Sequence, residues 1–335
     1  MRKQFLKLAL LILPVLISTA GKTQSDIYTF EKSIALPGDG GYDYVSIDEV
    51  NRHLFVSHGT SVNIIDLKTE QVIGSVDNMK GVHGIAVDNE VNKGFITDGR
   101  DNSVVVFDLT SFKTITTIPV TPKGPDGIMF DPFSKRIFAF CGDGNAASVI
   151  DVNTLKEIAT IPLGGGPEFA VPDGKGLIYN NLEDKNSLNV IDSKAMKVLR
   201  SYPLAPCGGP TGLALDAQHQ RIFTVCRENK GMSVVDISSG KVINTLPIGA
   251  GVDAVVYDAS TQLIFCSNGD GTATIIKQKS ADIYSVVQTL KTQFRAKTMA
   301  LDKQTHKIYF SAPKYVEGTR NIIPGSFAVL VYKMN

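Results

Sequence analysis

Short runs of apolar residues, each four to seven residues long, recur along most of the chain, and Gly, Pro, Asn or Asp stands at their ends. This pattern is typical of β-strands joined by tight turns, and none of the runs shows the period of an amphipathic helix. The same apolar run ends in aspartate seven times, at intervals of 40 to 44 residues: Asp48, Asp88, Asp131, Asp173, Asp216, Asp258 and Asp302. A period of that length over almost the whole chain predicts a repeat architecture.

Each repeat contains four apolar runs, which the third copy shows at residues 127–130, 136–140, 147–150 and 157–163. Seven units of four strands predict an all-β fold, a seven-bladed β-propeller with four antiparallel strands per blade. The repeats span approximately residues 41–80, 81–123, 124–165, 166–208, 209–250, 251–293 and 294–334. Because seven copies share the Asp, we expect it to accept N–H groups of the turn that follows, rather than to act in catalysis.

The seventh copy ends after its third strand, and a run that could supply the fourth lies at the other end of the chain. Residues 30–37, FEKSIALP, resemble a fourth strand elsewhere in the chain, GKVINTLP at residues 240–247. We therefore expect the segment 27–37 to complete the last blade. Such closure joins the two ends of the propeller and removes an open sheet edge.

The first twenty residues carry Arg2, Lys3 and Lys7, then an apolar stretch at 8–17, then small residues before a cleavage position after Ala20. This order predicts a secretory signal peptide at 1–20, followed by a single propeller domain at 21–335. The alternative is a buried N-terminal helix. We expect an exported protein, periplasmic or extracellular, with no membrane attachment after cleavage.

Composition and net charge limit the classes of molecule that the protein could bind. Without the three basic residues of the leader, 31 Lys and Arg stand against 33 Asp and Glu, a formal charge of −2. No basic stripe could follow a phosphate backbone, so nucleic acid is not indicated. Apolar residues make up 43% of the chain, which is ample for a packed core. We expect a monomer.

Four cysteines in an exported chain allow up to two disulfides: Cys141, Cys207, Cys226 and Cys266. Cys207 precedes an innermost strand and Cys226 ends the next strand, so both should reach one face of the molecule. A Cys207–Cys226 disulfide and four buried thiols are the two interpretations left open.

The fourth repeat reads GGGPEFAVPDGKGLIYNN, and residues 233–249 read SVVDISSGKVINTLPIG. These segments resemble the YVTN β-propeller repeat of YncE-like exported proteins, and the resemblance covers nearly all of residues 21–335. It implies export and a propeller. Similar propellers include lactonases, streptogramin lyases and subunits of quinoprotein dehydrogenases, and fold alone does not choose among these functions.

The recurrent Asp also locates the mouth of the central channel, because the residue five positions before it in each copy is expected to lie at that mouth. In contrast to the Asp, these positions differ from copy to copy: Asp43, His83, Asp126, Glu168, Thr211, Asp253 and Lys297. A second ring, at the ends of the second strands, includes His58, Asn181 and Asn268, with Arg100 and Arg227 in the loops beyond. Asymmetry of this kind is what a ligand site requires.

The expected ligand-binding residues are Asp43, His83, Asp126, Glu168, Asn181, Asp253, Asn268 and Lys297. Among them Asp126, Glu168 and Asp253 are candidate oxygen ligands for Ca²⁺ or Mg²⁺, although such a carboxylate ring can also be simply solvated. For catalysis, His58 and His83 are candidate general bases or acids, and Arg100, Arg227 or Lys297 could stabilise developing negative charge.

Three functions remain possible at this stage. The first is an exported propeller that binds a small molecule, a peptide or a partner protein at the channel mouth. Aromatic residues near the rim favour it: Tyr42, Tyr44, Phe169 and Tyr315. The second is a metal-assisted hydrolase, such as a lactonase, or a lyase, acting on a polar cyclic substrate. The third is an accessory protein in electron transfer or cofactor delivery, which no haem-attachment or copper motif supports.

Overall fold

The computed structural model describes residues 26–38 and 40–335, so the predicted signal peptide lies outside the described residues. Within this part of the chain, 28 strands form seven four-stranded antiparallel sheets. The helical content described is one 3-10 turn, Glu183–Lys185. The predicted all-β, seven-bladed propeller with four antiparallel strands per blade is confirmed.

The N-terminal strand is β1 (Tyr28–Ala35). Blades one to six then use consecutive strands, ordered from the channel outwards. Blades one to three contain β2 (Tyr42–Asp48), β3 (His53–His58), β4 (Ser61–Asp66), β5 (Gln71–Val76); β6 (Val82–Asp88), β7 (Lys93–Asp98), β8 (Ser103–Asp108), β9 (Thr114–Pro119); β10 (Pro125–Asp131), β11 (Arg136–Cys141), β12 (Ala146–Asp151) and β13 (Lys156–Pro162).

Blades four to six contain β14 (Pro167–Pro172), β15 (Leu177–Leu182), β16 (Ser187–Asp192), β17 (Lys197–Pro203); β18 (Pro210–Asp216), β19 (Arg221–Cys226), β20 (Gly231–Asp236), β21 (Lys241–Pro247); β22 (Val252–Asp258), β23 (Leu263–Asn268), β24 (Thr272–Ser280) and β25 (Ile283–Lys291). Blade seven contains β26 (Thr298–Leu301), β27 (Ile308–Ala312) and β28 (Ala328–Met334), with β1 as its outermost strand.

The recurrent Asp has the structural role expected of it. In all seven blades its carboxylate accepts a backbone N–H from the turn between the first and second strands. In Asp48, for example, Oδ1 accepts from Val50 at 3.0 Å and from Asn51 at 3.1 Å. Satisfying these N–H groups stabilises the reversal of the chain in each blade.

The core consists of seven apolar clusters, most of them built by two neighbouring blades, because each sheet is covered on both faces. Between blades one and two, the buried Phe55 ring meets the edge of Phe107 with centroids 5.6 Å apart. The same cluster includes Ile64, Ile85 and Ile96. Burial on both faces explains why the inner three strands of a blade are almost continuously apolar.

Blade seven closes the ring as the sequence predicts. β1 pairs with β28 in antiparallel register, from Tyr28 opposite Met334 to Ala35 opposite Ala328. Across the seam to blade one, both terminal nitrogens of Arg52 donate to the carboxylate of Asp302, at 2.8 and 2.5 Å. Because Arg52 and Asp302 are both buried, this bidentate pair locks blade one to blade seven.

The structure contains the disulfide that is one of the two interpretations of the cysteines. Cys207 and Cys226 form a disulfide at the mouth side of blade five, whereas Cys141 and Cys266 are buried thiols. Among residues 26–38 and 40–335, no helix has the length and apolar character needed to cross a membrane.

Candidate functional site

Two aromatic rings from different blades close the channel below its mouth. Tyr44 of blade one and Phe169 of blade four meet with ring centroids 4.8 Å apart. Beneath them the channel contains a cavity of about 530 Å³, which includes Ile47, Met129 and Leu213 in its lining. The Tyr44–Phe169 pair therefore separates a polar mouth from a largely apolar lower channel.

An irregularity of the inner strands turns the mouth residues out of their sheets. In blades one to six the pairing of the first strand with the second shifts register at the mouth, for example between Tyr42 and Val45 in β2. The residue five before the turn Asp lies inside each shift. A β-bulge bends the strand and re-aims a side chain, so the same offset places unlike side chains at one end of the channel.

On one side of the mouth His83 lies between two carboxylates. Its Nδ1 is 2.7 Å from Oδ2 of Asp43 and 3.4 Å from Oδ1 of Asp126. Burial alone would lower the pKa of His83, but the hydrogen bond that its ring donates to Asp43 and the charges of both carboxylates outweigh this effect and raise the pKa. The imidazolium form is therefore favoured on this side.

The opposite side of the mouth is a chain of ion pairs that crosses four blades. The buried carboxylate of Asp253 accepts from Arg227 Nη2 and from Lys297 Nζ, both at 2.5 Å. Arg227 also reaches Glu183 through Nη1 at 2.6 Å. Since each charge here has an opposite partner, this side is close to neutral.

Glu168 lies between these two sides and has the most perturbed carboxyl group of the mouth. Burial, followed by the charges of Glu183, Asp253 and Asp126, raises the pKa of Glu168 to about 9. Burial and the charge of Asp43 likewise raise the pKa of Asp126 to about 6. At neutral pH the Glu168 carboxyl is therefore protonated and can donate a hydrogen bond.

Above blades five to seven the mouth widens into a cavity of about 1490 Å³, here called the funnel. Arg227, Asp253 and Lys297 lie at its base, and Phe294 and Arg295 lie on its wall. Much of the rest of the wall is the connection between β27 and β28, residues 313–327, here called the blade-seven loop. The equivalent connections in the other blades contain two to four residues, so the funnel exists because this loop is long.

Several predicted residues have structural roles instead of facing the mouth. His58 is buried against the Phe327 ring, with centroids 3.9 Å apart, and its Nδ1 contacts Asn63. The buried Asn181 donates from Nδ2 to the Thr211 carbonyl, and the buried Asn268 donates to Thr274. The ends of the second strands are covered by neighbouring blades and loops, which explains why these side chains are buried.

Arg100 is the exposed exception, since its side chain projects from the loop after β7 and lies against Gly81. It forms no salt bridge among the described residues. The structure therefore places Arg100 beside the mouth and leaves it without a partner at the His83 cluster.

The structure does not bring the three predicted metal ligands together. Among the described residues, the group whose potential ligand atoms all lie within 4.8 Å of one another is Asp43, His83 and Asp126. Asp126, Glu168 and Asp253 do not form such a group. Asp253 is held by two cations, which would repel a metal ion, and burial keeps Glu168 protonated.

The sequence interpretation missed Glu183, Phe294 and Arg295, together with the wall formed by the blade-seven loop. Glu183 lies in a loop rather than at the repeated mouth position, so the repeat offset could not find it. The loop did leave a signal, because the spacing between the second and third apolar runs is much longer in the seventh copy than in the others.

Comparisons with known proteins support the fold. No protein-family model matches the chain, and no curated protein matches it. A solved structure described as Kuenenia stuttgartiensis hydrazine synthase is similar, with a TM-score of 0.69 and 18% sequence identity over 85% of this chain and 94% of that chain. At this identity the likeness shows a shared seven-bladed propeller architecture and no shared activity.

Proposed function

We propose that this chain is an exported, YncE-like propeller that binds a small molecule in the funnel. The funnel itself is the observation that carries the proposal. The leader-like sequence at residues 1–20 supports export, and the repeats GGGPEFAVPDGKGLIYNN and SVVDISSGKVINTLPIG support the family. We expect it to act as a monomer, with no contact to nucleic acid.

The shape and chemistry of the funnel are those of a ligand site. Pockets for small molecules usually enclose about 300–1,000 Å³ and combine apolar walls with a few polar groups. The funnel encloses about 1490 Å³, enough for such a ligand together with water. Its base carries the charged pair of Asp253 and Lys297, while Phe294 offers apolar surface on the wall.

A loop-tip variant tests this function. Tyr315 pairs with Ile322, so residues 316–321 can be replaced by Asn-Gly without changing the base of the blade-seven loop. Thermal melts of the wild type and this variant would be recorded against a library of small polar compounds. We expect at least one compound to raise the melting temperature of the wild type by about 2 °C or more, through binding to the folded state. The tip variant should lose that shift.

The comparison between the two proteins separates the possible results. Equal melting temperatures without ligand would show that the variant folds. If every stabilising compound acts equally on both proteins, binding occurs elsewhere and the funnel is not the site. A protein partner that binds the rim would instead be detected as an interaction lost with the loop tip, because Val316 is exposed there.

A metal-assisted hydrolase or lyase is the second candidate, and the Asp43–His83–Asp126 group favours it. Two carboxylates and an imidazole suit Mn²⁺ or Zn²⁺ better than Ca²⁺, because the softer nitrogen ligand favours transition metals. A metal there would polarise a substrate carbonyl or activate water. His83 would have to release its Nδ1 proton first, so metal affinity should rise with pH.

This alternative is tested by thermal melts in EDTA, followed by addition of Mn²⁺, Zn²⁺, Mg²⁺ or Ca²⁺. If a metal binds, its stabilising shift should disappear in Asp43→Asn and Asp126→Asn. Asp253→Asn is the matched control, because that carboxylate is held by Arg227 and Lys297. A shift that survives in all three variants would place the metal elsewhere, and no shift would remove this candidate.

A further inference from the structure

We infer that the funnel selects an organic anion with a flat apolar body, such as an aromatic carboxylate, sulfonate or phosphate ester. This inference rests on the proposed function and adds the chemical class of the ligand. It follows from which charges in the funnel are already neutralised, from the aromatic wall, and from the rigid base of the blade-seven loop.

The two cations at the base of the funnel already have carboxylate partners. Arg227 and Lys297 share the Asp253 carboxylate, and Arg227 also binds Glu183. Asp270 uses both of its oxygens on local groups: Oδ2 accepts from the Ala250 N–H at 2.7 Å, and Oδ1 accepts from the Thr272 hydroxyl at 2.7 Å. The ion-paired groups balance one another, and Asp270 keeps its negative charge, so the base offers no unpaired cation to a ligand.

The wall, in contrast, has an excess of positive charge. Arg295, Lys314 and Arg320 all line the funnel, and none of them forms a salt bridge within residues 26–38 and 40–335. The acidic residue that faces them in the loop is Glu317. Three cations against Glu317 leave two positive charges on the wall, which outweigh the single negative charge of Asp270 and favour an anionic ligand.

The cations stand beside aromatic surface. Phe294 and Tyr315 meet edge to face, with centroids 6.1 Å apart and planes at 78°. The Arg295 guanidinium lies over the Tyr315 ring at 5.3 Å, and 56% of Phe294 is exposed. A flat apolar body can cover Phe294 while its anionic group reaches Arg295, whose planar fork suits carboxylate, sulfonate and phosphate oxygens.

The base of the blade-seven loop is held in place before any ligand arrives. Lys314 accepts from the Ile323 N–H at 2.9 Å, and its own N–H donates to the Ser326 hydroxyl at 2.9 Å. Gln293 donates from Nε2 to the Pro313 carbonyl at 2.6 Å. A wall held in this way lowers the entropic cost of binding and favours a defined ligand shape.

Two fluorescent probes that differ in one anionic group test the inference. The anion is 1-anilinonaphthalene-8-sulfonate, and its neutral counterpart is N-phenyl-1-naphthylamine. We expect the purified protein to bind the sulfonate with one saturable site, at least about tenfold more tightly than the neutral probe, since one good ion pair contributes that factor. The affinity for the sulfonate should fall as salt is added, because the cations are near the surface.

Variants then locate the bound sulfonate. The triple change Arg295→Met, Lys314→Met and Arg320→Met should weaken sulfonate binding about tenfold and alter binding of the neutral probe less than about twofold. The matched control removes three exposed lysines at the starts of outer strands: Lys156→Met, Lys197→Met and Lys241→Met. It should leave both affinities unchanged. Phe294→Ala should weaken both probes about threefold.

The outcomes distinguish this inference from the proposed function. If both probes bind equally and the wall triple variant matches the wild type, the funnel does not select anions, although it still binds small molecules. If the control triple variant weakens the sulfonate as much as the wall triple variant, net charge explains binding and the inference fails. In a third outcome, neither probe binds while a neutral or cationic library compound stabilises the wild type and not the loop-tip variant. That result contradicts this inference and still supports the proposed function.

Discussion

The two ends of the central channel use carboxylates in opposite ways. One end, here called the turn end, is where the first strands pass into the turns that hold the recurrent Asp. There the pKa values of Asp258 and Asp302 are lowered. Burial alone would raise these values, but hydrogen bonds from Ser260 and Arg52, among others, outweigh the effect of burial. At the mouth, burial and neighbouring carboxylates raise the pKa values of Asp126 and Glu168. The same chemical group therefore stabilises the fold at one end and opposes it at the other.

The direction of each shift determines how stability depends on pH. A lowered pKa contributes stability that is present above the unfolded pKa and is lost as pH falls through the folded value. A raised carboxyl pKa does the reverse, because the unfolded chain loses its proton first and stability falls as pH rises. Carboxyl groups at the turn end thus stabilise the fold, whereas the mouth retains carboxyl groups whose ionised form is disfavoured, as functional sites often do at the expense of stability.

The largest expected effect is at the turn end. Asp302→Ala should lower the free energy of unfolding by about 3–5 kcal/mol, because it removes the buried, bidentate partner of the Arg52 guanidinium and leaves only the longer contact to the exposed Glu49. Urea denaturation at pH 7 measures it. Asp173→Ala is the control, since its carboxylate serves turn N–H groups and has no such ion pair. Equal losses of unfolding free energy in the two variants would contradict the stabilising role of the Arg52–Asp302 ion pair between blades one and seven.

The disulfide is the feature of the mouth end that should matter most for stability. Cys207 and Cys226 are 19 residues apart, and replacing both with Ala should cost about 3 kcal/mol by releasing that loop in the unfolded chain. Denaturation with and without dithiothreitol measures it. The wild type should lose stability on reduction, and the double variant should not respond. A response in the double variant would attribute the effect to Cys141 or Cys266.

Glu168→Gln should stabilise the protein in alkaline solution. The wild type should lose stability as pH rises from the unfolded carboxyl pKa towards about 9, the pKa of Glu168 in the folded protein. We expect the variant to gain about 1–2 kcal/mol at pH 8 and almost nothing at pH 4, a gain smaller than the full shift implies because the side chain is partly solvated.

Unfolding curves at the two pH values check the sign of this effect. The control is Glu157→Gln, because Glu157 lies outside the mouth and accepts hydrogen bonds from Ser148 and Thr121. A loss of stability in Glu168→Gln at pH 8 would show that the mouth carboxyl supports the fold.

The smallest expected effect is that of Asp126→Asn, a gain in stability of at most about 0.5 kcal/mol, because the cost of burying the charge and the repulsion from Asp43 are removed together with the attraction to His83. Its effect on His83 should be clear. Losing the Asp126 charge should lower the pKa of His83, which NMR titration of the ring protons measures. Asp143→Asn, an exposed change beyond the cluster, should leave that pKa unchanged.

Much of the architecture could be predicted because it is repeated. The turn Asp appears seven times, and each copy has the same local reason to be there, so the seven blades and their strand number follow from the sequence. The closing role of β1 was visible as a strand missing at one end and present at the other. The offset that located Asp43, His83 and Asp126 follows from the repeated backbone.

The details of the site depend on contacts that no repeat encodes. Whether His58 faces the channel depends on Phe327, which lies far away in sequence and covers it. The sequence predicts Asp253 as a metal ligand, whereas in the structure its carboxylate forms ion pairs with Arg227 and Lys297. The funnel depends on the path of the blade-seven loop, and a loop of that length has no preferred conformation that its sequence alone reveals.

The pairing of β1 with β28 has a consequence for the order in which the molecule can be completed. Thr29 and Asn335 contact each other across 306 residues of sequence, so β1 has its partner strand only after all the other blades have been synthesised. Until then six blades can assemble in turn, but the ring remains open and an edge of blade seven is unpaired. A chain that stops before residue 328 lacks β28 and cannot pair β1, so ring closure itself reports that the last strand of the propeller has been made.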